Sequence, residues 1–480
     1  MENNSEPDYS EIAKKLTKKI INTCTDYYLI DYHKDRDLYY SIPPEELKKN
    51  PLCMAGVCLN YIMDGELDKL QAVIDSIPDD NVPYEIQYLK LGLKLINPRI
   101  TWKGFIDIIE YLKKTKTSIN NVVLTVGRPS ILNGFNDFSR ICPLLESRKK
   151  LFIEDLSCLY DKSLAPAIYN LCLSEWNYLK NCLIDAEILV SRTIKQFDKD
   201  SERRLLFAAL YLQSKILIAQ EKNPRPEAYI ENIRKYVKEK GHAEFSYNID
   251  AAQTLCSMLN GDTEKIVEWL KNDSPNEFSD FNMLDTWSYM VKLRAYIIVE
   301  NYAAVIALVE KLRPLLEEGK RHMDMCEIDM LNAIALFRAN QKEIAFKALY
   351  RSLKIAKRRQ YYRIIADEGE GVLPVLNAFI KEKGIDSFGQ EFFTLIIEEA
   401  RKLSLKYPLY LKPKANTTSL TKMEKEILNL LERGKSTDEI AGYFLISNNT
   451  VKYHLKNLYT KLNVSNATGA VWEARLRGIL

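Results

Sequence analysis

Turn residues recur at a nearly constant interval through the middle of this chain, and that interval constrains its fold more than any other feature. Asn181, Asn223, Asn260, Asn301 and Asn340 each stand between two apolar helical stretches, at intervals of 42, 37, 41 and 39. A unit of about 40 residues holding two helices predicts a helical solenoid, because one hairpin cannot cover its own apolar face and neighbours must stack. Between Leu284 and Leu315, Tyr289, Met290, Leu293, Tyr296 and Ile297 form one stripe at three- and four-residue spacing. Asn301 breaks it, and Val305, Leu308, Val309, Leu312 and Leu315 form the next. Ala304, Ala307, Ala345 and Ala348 stand near the turns, where small side chains let paired helices approach. Further helix pairs are expected around Gly65 and around Asn97-Pro98. No stretch alternates long enough to predict a sheet, so the expected fold class is all-α. A globular bundle fits the same apolar spacing; the turn period favours the solenoid.

Composition narrows the functional classes. Of 480 residues, 46% are hydrophobic and 28% charged, and the formal net charge is only +3. That balance excludes a mainly disordered chain and a polycation, so any nucleic-acid surface must be local. The nine cysteines are scattered, with no CxxC pair, and read as reduced thiols of a cytosolic protein. The first residues alternate acids and bases without an apolar run, unlike a signal peptide. The longest apolar region, Leu205 to Ala219, is interrupted by Gln213, Ser214 and Lys215, too polar for a membrane span. The expected location is the cytoplasm, with no membrane partner.

Two stretches depart from the helical pattern. Residues 126–140 carry Gly127, Pro129 and Gly134 and read as an irregular connector, with a binding loop as the alternative. Residues 406–419 hold Pro408, Pro413 and a polar tail and read as a linker. The chain thus divides into a repeat region for sensing or interaction over 1–405, the linker 406–419 and a module over 420–480.

Helix signals in the module are dense. Thr421 and Glu424 have the spacing of a capping box, and Gly434 that of a left-handed C-terminal cap. Ser436 opens a second helix, 437–444, packed through Ile440, Ala441 and Phe444; Ser447 opens a third, 448–462; Ser465 or Asn466 opens a fourth that runs to Arg477. On the third helix Val451, Leu455, Leu458 and Leu462 share one face, while Asn449, Lys452, Tyr453, Lys456 and Thr460 share the other. Two short helices joined by a tight turn, the second with a cationic face, form a helix-turn-helix whose second helix fits a major groove about 12 Å wide. Lysines there donate to guanine edges or to phosphates, and a tyrosine meets a thymine methyl or a phosphate. From Thr421 onward nine bases face six acids, and the preceding residues hold 59 of each, so the whole charge excess lies in this module. A solvated cap on the solenoid would explain the periodicity but not that placement. His454 reads as a packed histidine, since no Cys or second His is near it to complete a metal site.

The stretch from Leu420 to Val464 resembles the LuxR-type helix-turn-helix. The match falls on Leu420-Thr421, Glu424, Gly434, Ser436, Glu439-Ile440-Ala441, Ile446-Ser447, Thr450-Val451-Lys452, His454 and Lys461-Leu462. The resemblance implies that Lys452, Tyr453 and Lys456 face bases, and that Lys435, Ser447, Asn449 and Thr450 lie near phosphates. It also implies that Val471, Trp472 and Arg475 on the last helix form a dimer surface. The sequence departs from the family at Met423, where Arg is usual, and at Ala467 and Gly469, where Arg and Glu are usual; the latter pair is expected to remove a salt bridge bracing the last helix. The array with this module further resembles the C-terminal half of large ATP-dependent LuxR regulators of the maltose-regulon-activator type. In those proteins a tetratricopeptide-like superhelix binds the inducer. They also carry an N-terminal nucleotidase, for which these residues leave no room.

Gly434-Lys435-Ser436 is no phosphate-binding loop, since Asn429 occupies the required glycine position within a helix. No HExxH or GxSxG motif occurs, and the four histidines are far apart, so no enzyme, metal or cofactor is expected. The expected function is a bacterial transcription regulator that reads double-stranded DNA as a homodimer. Its repeat region senses a small-molecule or protein inducer, and RNA polymerase is a further partner. The alternative is a non-enzymatic adaptor whose terminal module pairs with another regulator without reading bases.

Overall fold

The computed structural model describes residues 8–23, 29–79, 83–117, 128–134, 136–160, 162–197, 203–222, 226–239, 246–279, 281–412, 420, 422–462, 464–476 and 480. Asn223, Thr421, Pro413 and Arg477 lie outside them, as do Gly127, Cys24 and His242, and the side chain of Thr460. Every described regular element is a helix, apart from one isolated bridge between Asn133 and Asp137. The chain forms two compact units, residues 1–411 and 412–480.

Five hairpins build the centre of the first unit. Their helices are Ala165–Leu179 with Leu183–Phe197, Arg203–Ala219 with Pro226–Glu239, Ser246–Asn260 with Thr263–Asn272, Thr286–Ile298 with Tyr302–Glu318, and His322–Arg338 with Lys342–Arg359. Each hairpin turns on one residue with positive φ: Asn181, Glu221, Gly261, Glu300 and Asn340, at intervals of 40, 40, 39 and 40. At all five, the next residue's N–H reaches the carbonyl five positions back, at 2.8–2.9 Å: Cys182 to Asn177, Lys222 to Leu217, Asp262 to Ser257, Asn301 to Tyr296 and Gln341 to Leu336. This bond satisfies carbonyls orphaned at the helix end and reverses the chain. The repeat is therefore more regular than its asparagines suggest. Only two of them take the turn position; Asn301 instead caps the following helix by accepting from Ala304 N–H. Left-handed backbone tolerates several residue types at a modest cost, so a search for one residue type finds the period only approximately.

The first helix of each hairpin is the buried one. Thr286–Ile298 and His322–Arg338 are covered on nearly every side, whereas Lys342–Arg359 buries a single stripe of Ala345, Phe346, Ala348, Leu349, Ser352, Leu353 and Ala356. Of the small residues expected between helices, Ala345 and Ala348 are buried, Ala304 is half-buried and Ala307 is exposed. Ahead of the hairpins, Pro51–Met63 and Leu67–Ser76 fold back at Gly65, whose φ is +76, and Tyr84–Ile96 and Trp102–Thr115 fold back through Asn97.

Two sequence expectations need correction. The linker does not start at 406: Tyr407, Tyr410 and Leu411 are buried in the repeat core, the Tyr410 hydroxyl donates to Glu368, and Arg338 donates to the Leu411 carbonyl. The prolines there mark a chain that leaves its helix but stays packed. Nor is the irregular stretch expected over 126–140 a mere connector where it is described, since residues 129–134 are buried. Ser130 Oγ and the backbone N–H groups of Ile131 and Leu132 all donate to Glu175 in the first hairpin, and Arg321 donates to the carbonyls of Asn133 and Gly134. A loop can be buried only when its backbone groups find such partners.

The second unit contains Lys422–Glu432, Thr437–Phe444, Asn448–Leu462 and Ala467–Leu476. Its separate core joins Leu420, Ile427, Leu428, Leu430, Ile440, Ala441, Val451, Leu455, Leu458, Leu462, Ala470 and Ala474.

Candidate functional site

Local signals position the third helix of the second unit. Gly434, at φ +75, ends the first helix, and Lys435 N–H bonds the Leu430 carbonyl at 3.0 Å. Ser436 and Glu439 then close a reciprocal capping box. Leu445 takes the left-handed cap of the second helix at φ +53, and Ser447 Oγ accepts from Thr450 N–H at 3.2 Å to open the third. Asn448 Nδ2 donates to Asp438 at 2.6 Å, clamping the two helices across their turn. Glu424, the partner proposed for Thr421, is buried and receives Lys461 Nζ at 2.6 Å, tying the first helix to the third.

With Val451, Leu455, Leu458 and Leu462 buried, the opposite face of Asn448–Leu462 is open. Lys452, Tyr453 and Lys456 are exposed there, Tyr453 at 64%. Asn449 and Thr450 are exposed at the start of the helix, beside Ser447. Lys435 is exposed but bonded to Glu439 at 2.7 Å. That lysine, followed by the Ser436 N–H and hydroxyl, holds the Glu439 carboxyl down at about 2. His454 is half-buried, with its ring edge-on to Tyr453.

The last helix divides the three residues expected at a dimer surface. Trp472 is 66% exposed. Val471 packs partly against the module core, and Arg475 is bonded to Glu432 of the first helix at 2.9 and 3.1 Å. Asn466 caps this helix by accepting from Gly469 N–H at 2.7 Å. The last helix therefore has two braces of its own in a sequence that lacks the usual pair at Ala467 and Gly469.

A second site lies inside the first unit. A cavity of about 120 Å³ is lined by the first helices of all five hairpins, by the segment 363–368, by Arg128 to Ser130 of the inserted loop, and by Leu403 and Tyr410. Tyr178, Tyr211, Trp287, Leu212, Leu255 and Val291 give it apolar walls. Its charged groups are mostly matched to one another. Arg294 donates to Glu368 and Glu327, Arg128 to Asp324 and Glu327, and Arg363 donates to Glu399 and is ion-paired with Asp367. Burial would raise the Glu327 carboxyl, but Arg128 and Arg294 outweigh it and hold the group at about 2. Burial instead prevails at Glu175 and raises it, against the donors from Ser130, Leu132 and Ile131.

These cavity charges were not found by reading the sequence. Glu175, Lys215, Leu255 and Arg294 each stand six residues before the turn residue of their hairpin, at 181, 221, 261 and 300. Seen along one helix, Lys215 merely interrupts an apolar run; aligned on the exact turns, Glu175, Lys215 and Arg294 share one register position with the apolar Leu255, and all four line the cavity. Trp287 packs and also lines the cavity, and Trp176 and Trp269 are core residues. Among the described residues no cluster of three His, Cys, Asp or Glu side chains is arranged to hold a metal, and no helix is long and apolar enough to cross a membrane.

Helical hairpins followed by a helix-turn-helix unit with a cationic outer face define a repeat protein that ends in a DNA-binding domain. Family comparison bears this out in both parts. Residues 167–382 match the MalT-like TPR region, and residues 418–474 match the bacterial regulatory proteins of the luxR family. The chain thus carries a MalT-like tetratricopeptide region and a LuxR-type helix-turn-helix domain. It is similar to the HTH-type transcriptional regulator MalT of Klebsiella pneumoniae (strain 342), with 24% identity over 250 residues, 49% of this chain and 27% of that protein. The match therefore spans about a quarter of that relative's length.

Proposed function

We infer that this protein is a DNA-binding transcriptional regulator of the cytoplasm, without enzymatic activity, whose repeat region senses a small molecule. The observation that carries the DNA-binding part is the third module helix: its leucines are buried, and Lys452, Tyr453 and Lys456 stand outward together. The sensing part is supported by a cavity lined by the first helices of all five hairpins. In the DNA complex Lys452, Tyr453 and Lys456 meet base edges, while Lys435, Ser447, Asn449 and Thr450 lie along phosphates. Trp472, a large exposed ring, is the residue best suited to anchor a homodimer on a two-fold site. An activator of this plan meets RNA polymerase through the same DNA-bound form.

Selection of genomic fragments with the full-length chain tests this reading; enrichment of one sequence is expected. The adaptor alternative drew on the residues at 467 and 469, but Asn466 and Arg475 support the helix there, which favours a competent DNA-binding module. No enrichment at low salt would restore the adaptor. On the selected site, Lys456→Ala is expected to cost about 1–3 kcal/mol and relax specificity at one base pair. Equal binding by the variant would remove Lys456 from the readout. Lys435→Ala should weaken all sequences alike and flatten the salt dependence by about one unit of slope. Because Lys435 reaches a phosphate only by leaving Glu439, Glu439→Gln should bind slightly tighter; a loss confined to one sequence in the lysine variant would contradict the phosphate role.

A further inference from the structure

Lys215 is the exception among the charges of the repeat cavity. Arg128, Arg294 and Arg363 each bond two carboxylates, whereas among the described residues no acceptor lies within hydrogen-bond distance of Lys215 Nζ. Its nearest carboxylate oxygen, on Asp367, is 3.9 Å away and already receives the Tyr178 hydroxyl. The ammonium instead stands 4.7 Å from the centre of the Tyr178 ring, a contact that holds it in place but leaves its donors open. Lys215 lines the cavity with 35% of its side-chain surface open, and burial lowers its pKa.

The cavity acids already have partners, Asp367 through the Tyr178 hydroxyl and an ion pair with Arg363, although its Oδ1 accepts no hydrogen bond. Glu175 accepts three hydrogen bonds, and Glu368 accepts from Arg294 and Tyr410. An ammonium group on a ligand would have to compete with Arg363 for Asp367, whereas an acceptor would find Lys215 without a hydrogen-bonded carboxylate. The volume sets the size: about 120 Å³ is close to the ~150 Å³ apolar cavity that takes up benzene. Tyr211 and Trp287, edge to face at 5.2 Å between ring centres, line the cavity and suit a flat apolar body. A phosphate dianion would need a second cation, and the charge of each cavity arginine is already met by two carboxylates.

We propose that the cavity binds a small monocarboxylate with an apolar body of about one ring, its charge met by the Lys215 ammonium. The proposal rests on the reading of the repeat as the sensing region and names the class of ligand sensed. The probes are sodium benzoate, benzamide of the same shape without charge, and inorganic phosphate, each at millimolar concentration with the full-length chain. Benzoate is expected to raise the thermal midpoint and to bind by calorimetry, while benzamide and phosphate do neither. Lys215→Met should weaken benzoate about tenfold or more without lowering the midpoint of the unliganded chain. Leu255→Phe, which keeps the lysine but fills the cavity, should also abolish binding. Benzamide binding as tightly as benzoate, phosphate binding tighter than both, benzoate binding unaffected by Lys215→Met, or no binding of benzoate overturns the proposal. Sensing has its own readout, the DNA affinity of the benzoate-bound chain. If benzoate binds through Lys215 and DNA affinity stays constant, the carboxylate site stands and the sensor reading fails.

Discussion

Arg294→Ala is expected to destabilise the repeat unit by about 3–5 kcal/mol, because it leaves two buried carboxylates without their shared partner. Arg294 is 8% exposed, and its guanidinium bonds Glu368 and Glu327 together with the Met290 carbonyl at 3.0 Å. Glu368 also receives Tyr410 from the segment after the last repeat helix, and Glu327 receives Arg128 from the inserted loop. One arginine thus connects the fourth and fifth hairpins with both irregular segments packed on them. The loss is expected to exceed that of an exposed pair such as Lys265 with Asp262, whose charges stay solvated when the pair is broken. Urea unfolding followed by circular dichroism measures the difference. Combining Arg294→Met with Glu368→Gln should recover part of it, since the second change removes one stranded charge. An unchanged midpoint in Arg294→Ala would show that water reaches and solvates the two acids.

Adjacent residues on the third module helix should behave in opposite ways. Leu455 packs in the module core, so Leu455→Ala is expected to cost about 2–5 kcal/mol through loss of contacts and a residual cavity. In a unit of 69 residues, 412–480, that is a large share of a typical total of about 5–15 kcal/mol, and the helix that presents Lys452 and Lys456 should melt. DNA binding is then lost for all sequences together with helicity. Lys456→Ala, one residue on, should leave thermal unfolding unchanged and affect affinity alone. If both variants lost structure, Lys456 would be a packing residue, and the assignment of the outer face would fall.

The module was legible because its instructions are local. A serine cap at 436, a glycine at 434, a hydroxyl at 447 and leucines spaced by three and four each act within one or two turns of chain, and each is found where those spacings place it; the reciprocal box that Ser436 makes with Glu439 was not read. The hairpin period was legible for the same reason, although only Asn181 and Asn340 among the chosen asparagines are the turning residues. Long-range partners left no such mark. Nothing near Ser130 signals that residues 130–132 will bond Glu175 some 45 positions away, and nothing near Tyr410 signals Glu368. The bond from Arg475, which the resemblance places on a dimer surface, to Glu432 43 positions earlier was equally unmarked.

The sequence by itself determined the all-helical class, the two-helix repeat, and an amphipathic rod with lysines outward at the carboxyl end, since apolar spacing and capping act between residues a few positions apart. Only the tertiary structure decided that the 129–134 loop is buried, that residues 407–411 stay on the repeat, and that Lys215, unlike the cavity arginines, has no carboxylate within hydrogen-bond distance. Those outcomes depend on which helices stack and in what register, because a buried charge is defined by neighbours drawn from hundreds of positions along the chain.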